Sequence, residues 1–214
     1  MLPGADPTTP PAMLTATRAI RAATWSQTFP ATPDQVRITR QGMAAFLGGW
    51  PLTTDAVTCL SELVTNAIEH SRSGRPGGHI TVQATLTAAH LDVAVQDQGG
   101  PWQQEHNQDG LRGRGLHIVA ALTDCWGRTD DSTGTRTVWF HLTCHCAQEE
   151  TTMPATSPDA NTLQAIADDY PGWDISHDGH WWSATSPAVS VQADTPDGLR
   201  SALERIIGLG QGSA

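Results

Sequence analysis

The segment at residues 61–70, SELVTNAIEH, places the strongest constraint on the fold, because its apolar residues recur with the period of an α-helix. When successive residues are rotated by about 100°, one side of the helix collects only apolar side chains. These are Ala56, Val57, Leu60, Leu63, Val64, Ala67 and Ile68. The pattern predicts a helix that buries this side in a hydrophobic core.

The opposite side of this helix carries a narrow polar stripe. Glu62, Asn66 and Glu69 are spaced at i, i+4 and i+7, and His70 lies on the flank of the stripe. A carboxylate and a carboxamide one turn apart can jointly face a metal-bound ligand. The solvated face of an ordinary amphipathic helix has the same composition, so this segment alone leaves both interpretations open.

Periodicity and turn residues divide the surrounding region into further elements. Apolar residues at alternate positions predict strands, and Pro, Gly and capping residues mark the ends of helices. The predicted elements are a strand at 23–29, a helix at 34–48, a helix that Thr54 and Asp55 cap and that ends before Ser73, strands at 80–87 and 91–96, a loop at 98–112, a helix at 113–123, and strands at 126–129 and 135–142. This order predicts an α+β fold, a two-layer sandwich with helices on one face of a mixed, mostly antiparallel sheet.

Composition separates three other regions from this domain, which we place at residues 21–146. Residues 1–20 are rich in Pro, Thr and Ala and predict a disordered lead, and residues 147–159 predict a polar linker. Residues 160–210 predict a small α-β-β-β-α unit. The tryptophans that we expect in the core of this unit are Trp173, Trp181 and Trp182.

Composition also excludes several classes of function. All twelve basic residues are arginine, so lysine-based chemistry is excluded, and no basic stripe predicts direct nucleic-acid binding. No apolar run reaches the length of a membrane span and no signal pattern opens the chain, so we expect a cytoplasmic protein without a membrane segment. Cys59, Cys125, Cys144 and Cys146 do not form a spaced disulfide framework, and they lack the C-x-x-C pair of a common metal site.

Three motifs join the polar stripe as candidates for a binding site. Asp97-Gln-Gly-Gly-Pro101 places a carboxylate at a strand end, followed by glycines that let the backbone approach a flat ring while the carboxylate accepts a hydrogen bond from an exocyclic amine. Gly110-Leu-Arg-Gly-Arg-Gly-Leu-His-Ile-Val119 runs into a helix N-terminus, a ready anion site. Thr137-Val-Trp139 returns a hydroxyl on the last strand of the domain.

In this order and spacing, the four blocks resemble the Bergerat ATP-binding fold shared by gyrase, the heat-shock chaperone ATPase, histidine kinases and MutL. The segments SELVTNAIEH, GRGLHIVAALTDCWG and TRTVWF are most similar to the RsbW-type anti-sigma-factor serine kinases. The resemblance covers about residues 23–142. It implies binding of ATP and Mg²⁺.

The resemblance also implies a role for each matching residue. Asn66 would bind the Mg²⁺ that bridges the phosphates, and Glu62 would be the general base for phosphoryl transfer. Asp97 would accept a hydrogen bond from the adenine amine. Gly99 belongs with Asp97 to the first glycine box, and the second box consists of Gly113, Gly115 and Leu116. Gly113 and Gly115 would lie under the phosphates, and Thr137 would lie near the adenine. One departure concerns the last turn, where Thr135 replaces a glycine and Gly134 lies one place earlier.

The implied function is phosphorylation of an anti-sigma-factor antagonist by a serine/threonine kinase. Two alternatives stay open: a nucleotide-gated module that sequesters a sigma factor or other regulator without chemistry, and a histidine-kinase-type catalytic domain, although no phospho-accepting histidine helix is present. The partners would be proteins, and homodimer formation is left open. We expect nucleotide to order the loop at 98–112 and thereby form part of the partner surface.

The acidic residues concentrate after residue 146. Residues 1–146 contain twelve acidic residues and ten arginines, whereas residues 147–214 contain ten acidic residues and two arginines, a net charge of −8. The C-terminal unit could dock a basic partner or act only as a solubilising appendage. Because it lacks a candidate base, nucleophile or metal cluster, we expect a chain that ends near Gln148 to bind Mg·ATP like the full chain.

Overall fold

The structure, a computed structural model, describes residues 22–100, 115–144, 160–179 and 181–210. Helices and strands follow one another in the predicted order. They are β1 (Ala23–Pro30), α1 (Gln35–Leu47), α2 (Thr53–His70), a short 3-10 turn (Arg72–Gly74), β2 (His79–Leu86), β3 (His90–Asp97), α3 (Gly115–Leu122), β4 (Cys125–Asp130), β5 (Arg136–Thr143), α4 (Ala160–Asp169), β6 (Asp174–His177), β7 (Trp182–Thr185), β8 (Val189–Ala193) and α5 (Pro196–Gly210). The predicted α+β fold is confirmed. The loop at 98–112, the lead and the linker lie largely or wholly outside the described residues.

The strands form one eight-stranded sheet in the order β1-β2-β3-β5-β4-β8-β7-β6. Every pairing among the described strands is antiparallel, so the sheet contains no parallel pair of the predicted mixed type in this part of the chain. The register pairs Val95 with Val138 and Asp97 with Arg136 across β3 and β5. Directly opposed residues of an antiparallel pair share one face of the sheet.

The larger hydrophobic core lies between helices α1 to α3 and one face of strands β1 to β5. α2 supplies most of its helical side, because its apolar stripe is buried as its periodicity predicts. Its fully buried members include Leu60, Leu63 and Val64 from α2 and Ile80 and Val93 from the sheet. The two-layer arrangement with helices on one face is therefore correct for this half of the sheet.

The C-terminal strands continue the same sheet, because β8 pairs with β4. Its register places Ala193 opposite Cys125, which in turn lies opposite His141, so these three side chains share the face turned away from the larger core. A second core forms on that face from Cys125, β7, β8, α4 and α5. The two C-terminal helices thus pack on the opposite face of the sheet from α1, α2 and α3. The domain boundaries at 146, 147–159 and 160–210 stay a prediction.

Two details differ from the sequence-based expectations. α2 begins at Thr53, and no side chain caps it, so the predicted cap by Thr54 and Asp55 is wrong; both residues already lie in the first turn. Trp182 is buried in the second core and Trp173 packs against it, as predicted. Trp181 packs against the larger core instead, because adjacent residues along an extended chain point to opposite faces.

The cysteines are not equivalent. Cys59 and Cys125 are free and buried. Burial raises the pKa of Cys59 to about 12 and that of Cys125 to about 11, so neither thiol ionises at neutral pH. Cys144 is disulfide-bonded, which the spacing of the cysteines does not predict. None of the described helices is both long and apolar enough to cross a membrane.

Candidate functional site

A pocket opens where the polar stripe of α2 meets the ends of β3 and β5 and the start of α3. Its floor is apolar, and polar side chains reach it from three elements. The lining residues are Leu63, Asn66, Ala67, Val95, Asp97, Leu116, Arg136 and Val138. The fold therefore brings together Asn66, Asp97 and Leu116, which the sequence places on three separate elements.

The start of α3 approaches the polar stripe of α2 closely. A Cβ atom built on Gly115 would lie 2.6 Å from Oε2 of Glu62 and 3.6 Å from Nδ2 of Asn66. Only a glycine fits this approach without moving Glu62. Glu69 and His70 are exposed, with 3.9 Å between Oε2 of Glu69 and Nε2 of His70, so the stripe divides into a site half and a solvated half.

Asp97 ends β3 with its side chain in the pocket and is only 3 % exposed. Its Oδ1 accepts a hydrogen bond of 2.5 Å from the backbone N–H of Gly99. Burial raises the pKa of the Asp97 carboxyl, and the opposing effects of the Arg136 charge and the Gly99 N–H do not cancel this rise. The site thus contains a desolvated carboxyl at the position where the resemblance expects the adenine amine.

The glycine turn after Asp97 is held by neighbouring loops. Gly99 has φ of 63°, and a Cβ there would lie 2.1 Å from the carbonyl oxygen of Gly134, so a side chain is excluded by both conformation and space. Arg72 donates from Nε to the carbonyl oxygen of Gln98 at 2.9 Å and from Nη2 to that of Gly134 at 3.1 Å. Arg72 therefore joins the turn at Gly134 to the glycine turn that follows Asp97, despite the departure at Thr135.

The last strand places a different residue in the pocket from the one expected. Arg136 and Val138 line the pocket, and Thr137 between them does not. Alternation along β5 turns Thr137 toward the opposite face of the sheet, where it is paired with Gln96.

Most of the predicted site residues lie close together in the structure, but the side chain of Thr137 does not lie with them. Those that the fold brings to one site are Asn66, Asp97, Gly99, Gly115 and Leu116, with Glu62 beside them. Gly113 lies outside the described residues.

The donor set suits Mg²⁺ held together with phosphates rather than by the protein alone. Among the residues that the structure describes, no group of three or more His, Cys, Asp or Glu side chains could hold a metal. Mg²⁺ in nucleotide sites commonly uses one or two protein oxygens together with phosphates and water. Asn66 in the pocket, with Glu62 one turn away against Gly115, fits that pattern.

Sequence reasoning missed three residues that build the site. Arg136 could have been found from alternation, because it shares the parity of Val138 and Phe140, both buried. No local pattern in the sequence indicates that Arg72 or the fully buried Ser73 contributes to the site. The Ser73 hydroxyl accepts the N–H of Gln98 at 2.9 Å and donates to the carbonyl oxygen of His79 at 2.7 Å, contacts that only the tertiary fold creates.

Comparison with known proteins matches the region that contains this pocket. The family model described as a histidine kinase-like ATPase domain matches residues 29–141. The serine-protein kinase RsbW of Bacillus licheniformis is 30% identical over 113 residues, covering 44% of this chain and 71% of that protein. RsbW of Oceanobacillus iheyensis is 28% identical over 113 residues, covering 44% of this chain and 72% of that protein.

Among solved structures, the crystal structure of the RsbU and RsbW domains of a Mycobacterium tuberculosis protein aligns with a TM-score of 0.42 and 23% identity. The alignment covers 56% of this chain and 32% of the solved chain, so this protein spans about a third of that chain's length. The residues matched by the family model end before the C-terminal unit.

Proposed function

The chain belongs to the family of histidine kinase-like ATPase domains, and from that premise we propose that it is an ATP-dependent serine/threonine protein kinase of the RsbW type. Its substrate would be a hydroxyl group on a small protein of the anti-sigma-antagonist class. The similarity to serine-protein kinases supports the activity. The identity of the substrate protein is part of the proposal.

The observation that carries this proposal is that Asp97, Asn66 and Leu116 line one pocket. Gly115, at the start of α3, lies against Glu62 and Asn66. Asp97 would accept a hydrogen bond from the adenine amine at the strand end. The phosphates would then extend toward the start of α3, where backbone N–H groups and the helix dipole favour anions. Mg²⁺, held by Asn66, would neutralise the charge on the phosphates during transfer.

We propose Glu62 as the group that takes up the proton released in the reaction. The acceptor serine loses its proton to the Glu62 carboxylate while its oxygen bonds to the γ-phosphorus, and the bond from that phosphorus to the ADP oxygen breaks. The products are phosphoserine, ADP and a protonated Glu62, which returns its proton to solvent. The partly buried side chain of Glu62 against Gly115 supports this assignment.

Calorimetric titration with Mg·ATP tests the binding site. Asn66→Ala and Asp97→Ala should each weaken binding by at least about tenfold, roughly 1.4 kcal/mol. Glu69→Ala is the matched control, because Glu69 lies on the same helix but is exposed and outside the pocket. Unaltered binding in both site variants would contradict the assignment.

Transfer of labelled phosphate from ATP to candidate antagonist proteins tests the activity. Glu62→Gln should bind ATP like the unchanged protein but transfer phosphate at least about a hundredfold more slowly, the usual range for loss of a general base. Equal transfer by Glu62→Gln would remove Glu62 from this role. Nucleotide-dependent binding of a partner without any transfer would favour the sequestering module.

A further inference from the structure

Arg136 is the most deeply buried charged side chain of the described residues, and the roles described above do not explain it. It begins β5, is 1% exposed, and lines the pocket beside Asp97. Its register partner across the sheet is Asp97, so the two side chains project from the same face of adjacent strands. A buried arginine beside the proposed base-recognition carboxylate requires a physical reason, because burying a charge is costly without a partner.

The guanidinium group of Arg136 is fixed from two sides. Nη2 donates to the carbonyl oxygen of Gly100 at 2.6 Å, and Nε lies 3.5 Å from Oδ1 of Asp130. The first contact ties Arg136 to the glycine turn that follows Asp97, and the second ties it to the neighbouring strand β4. A planar guanidinium held in this way presents a fixed positive charge to the Asp97 side chain.

None of the other described charged groups on elements around Asp97 presents a positive charge to its carboxyl group in this way. Glu62 on α2 contacts the start of α3, and the guanidinium of Arg72 is directed to the carbonyl oxygens of Gln98 and Gly134. Asp130 opposes ionisation of Asp97 through its own negative charge. His117 on α3 is exposed. Among the residues that the structure describes, Arg136 is the cation whose charge most favours the ionised form of Asp97.

We infer that Arg136 is a positioning residue for base recognition, which holds the Asp97 carboxylate in the pocket as an acceptor for the exocyclic amino group of a purine nucleotide. This inference rests on the proposed function, since it concerns the same pocket. It deepens that proposal by making selectivity for a 6-amino purine depend on a residue outside the expected motif. Gly99 and Arg136 then orient the same carboxylate from the turn and from the adjacent strand.

Nucleotide selectivity tests this role, because a purely structural arginine would affect all nucleotides alike. The ratio of the dissociation constants of purine riboside triphosphate, which lacks the 6-amino group, and ATP is measured by calorimetry with Mg²⁺. For the unchanged protein this ratio should be at least about ten, the value of a hydrogen bond to a charged group. Arg136→Met should bring it close to one.

Arg128→Met is the matched control. Arg128 lies on β4 and its Nε is 2.9 Å from Oδ2 of Asp130, the same carboxylate that Arg136 approaches, but Arg128 does not line the pocket. This variant should keep the ratio of the unchanged protein. Thermal unfolding shows whether each variant is folded. If Arg136→Met does not fold, Arg136→Lys replaces it and should lower the ratio at least about threefold, since lysine keeps the charge but lacks the planar fork.

The outcomes separate the inference from the proposed function. If the unchanged protein binds neither nucleotide, both are overturned. If it binds ATP without preference over purine riboside triphosphate, or if Arg136→Met weakens both nucleotides equally and keeps the ratio, only the inference is overturned. Loss of the ratio in Arg136→Met together with its retention in Arg128→Met supports the inference.

Discussion

At the scale of single residues, the site is controlled by buried polar groups at strand ends. Asp97 and Arg136 end and begin neighbouring strands, and both are almost fully buried. A buried carboxyl is costly to ionise, so its environment decides whether it can accept a hydrogen bond. The affinity of the pocket for ATP should therefore depend on pH.

We expect ATP affinity to fall on acidification at a higher pH than an ordinary aspartate would give. Burial raises the pKa of Asp97, and only the ionised carboxylate accepts the adenine amine without a competing proton. Affinity should therefore be full above this pKa and decrease as the pH falls through it, by up to about tenfold per unit. Purine riboside triphosphate, titrated over the same range, controls for protonation of the phosphates. An identical pH dependence for both nucleotides would contradict this account.

The close approach of Gly115 to Glu62 gives a second prediction. In Gly115→Ala the new methyl group meets Oε2 of Glu62, which must move because the Cβ would lie 2.6 Å away. Phosphoryl transfer should fall by at least about tenfold, while helix stability should not, since alanine is the better helix former. The effect should disappear in a Glu62→Ala background, where no carboxylate is displaced. Equal residual rates of Glu62→Ala with and without Gly115→Ala would agree with this, and a further loss would not.

At the scale of elements, α5 is joined to the sheet by a polar cluster on the face opposite the pocket. His141 Nδ1 lies 2.8 Å from Oδ1 of Asp92, and the same oxygen is 3.7 Å from Nη1 of Arg205. The hydrogen bond and charge of His141 and the charge of Arg205 outweigh burial and lower the pKa of Asp92. This cluster connects β3, β5 and the last helix.

Arg205→Met should lower the free energy of unfolding by about 0.5 to 1 kcal/mol. The figure is small because Arg205 is 33% exposed and Asp92 is 39% exposed, so water screens the pair. Arg200→Met is the matched control, since Arg200 also lies on α5 but pairs with Asp169 inside the C-terminal unit. Denaturant unfolding at neutral pH measures both. An equal loss in the two variants would mean that Arg205 has no particular role in joining the unit to β3.

At the scale of the whole molecule, the C-terminal unit completes the sheet and covers part of its second face. β8 protects the edge of β4, and Cys125 of β4 is a member of the second core. An exposed strand edge invites pairing with other chains. The pocket lies on the opposite face of the sheet, between the sheet and helices α2 and α3.

Removing the residues after Gln148 should lower the free energy of unfolding but leave the affinity for ATP nearly unchanged. The shortened chain loses the partners of Cys125 and the second core around Trp182, and its unfolding free energy should drop by about 2 to 4 kcal/mol. Its ATP affinity, corrected for the folded fraction, should stay within about threefold of the full chain, because none of the described residues that line the pocket belongs to the removed part. Unfolding curves and calorimetry on both chains measure this. A tenfold loss of affinity would show that the unit acts on the pocket.

Local patterns in the sequence were sufficient to predict the elements and their order and, together with the family resemblance, most of the residues gathered at the candidate site. The periods of α2, β3 and β5 are local properties of the chain, since each reflects one buried face of one element. The roles of the glycines at positions 99 and 115 were likewise predictable, because positions where the backbone is approached closely are commonly occupied by glycine. Asn66 and Asp97 were predictable as well, because each has a characteristic place on its own helix or strand.

How these elements meet depends on the tertiary structure. Local periodicity does not specify which strand lies beside β4, so it did not reveal that β8 continues the sheet or that α4 and α5 cover its second face. Nor did it place Arg136 rather than Thr137 in the pocket, although alternation with Val138 contained that information. The physical reason is that strand pairing and the choice of the covered face depend on contacts between residues far apart in the chain, such as Arg205 with Asp92.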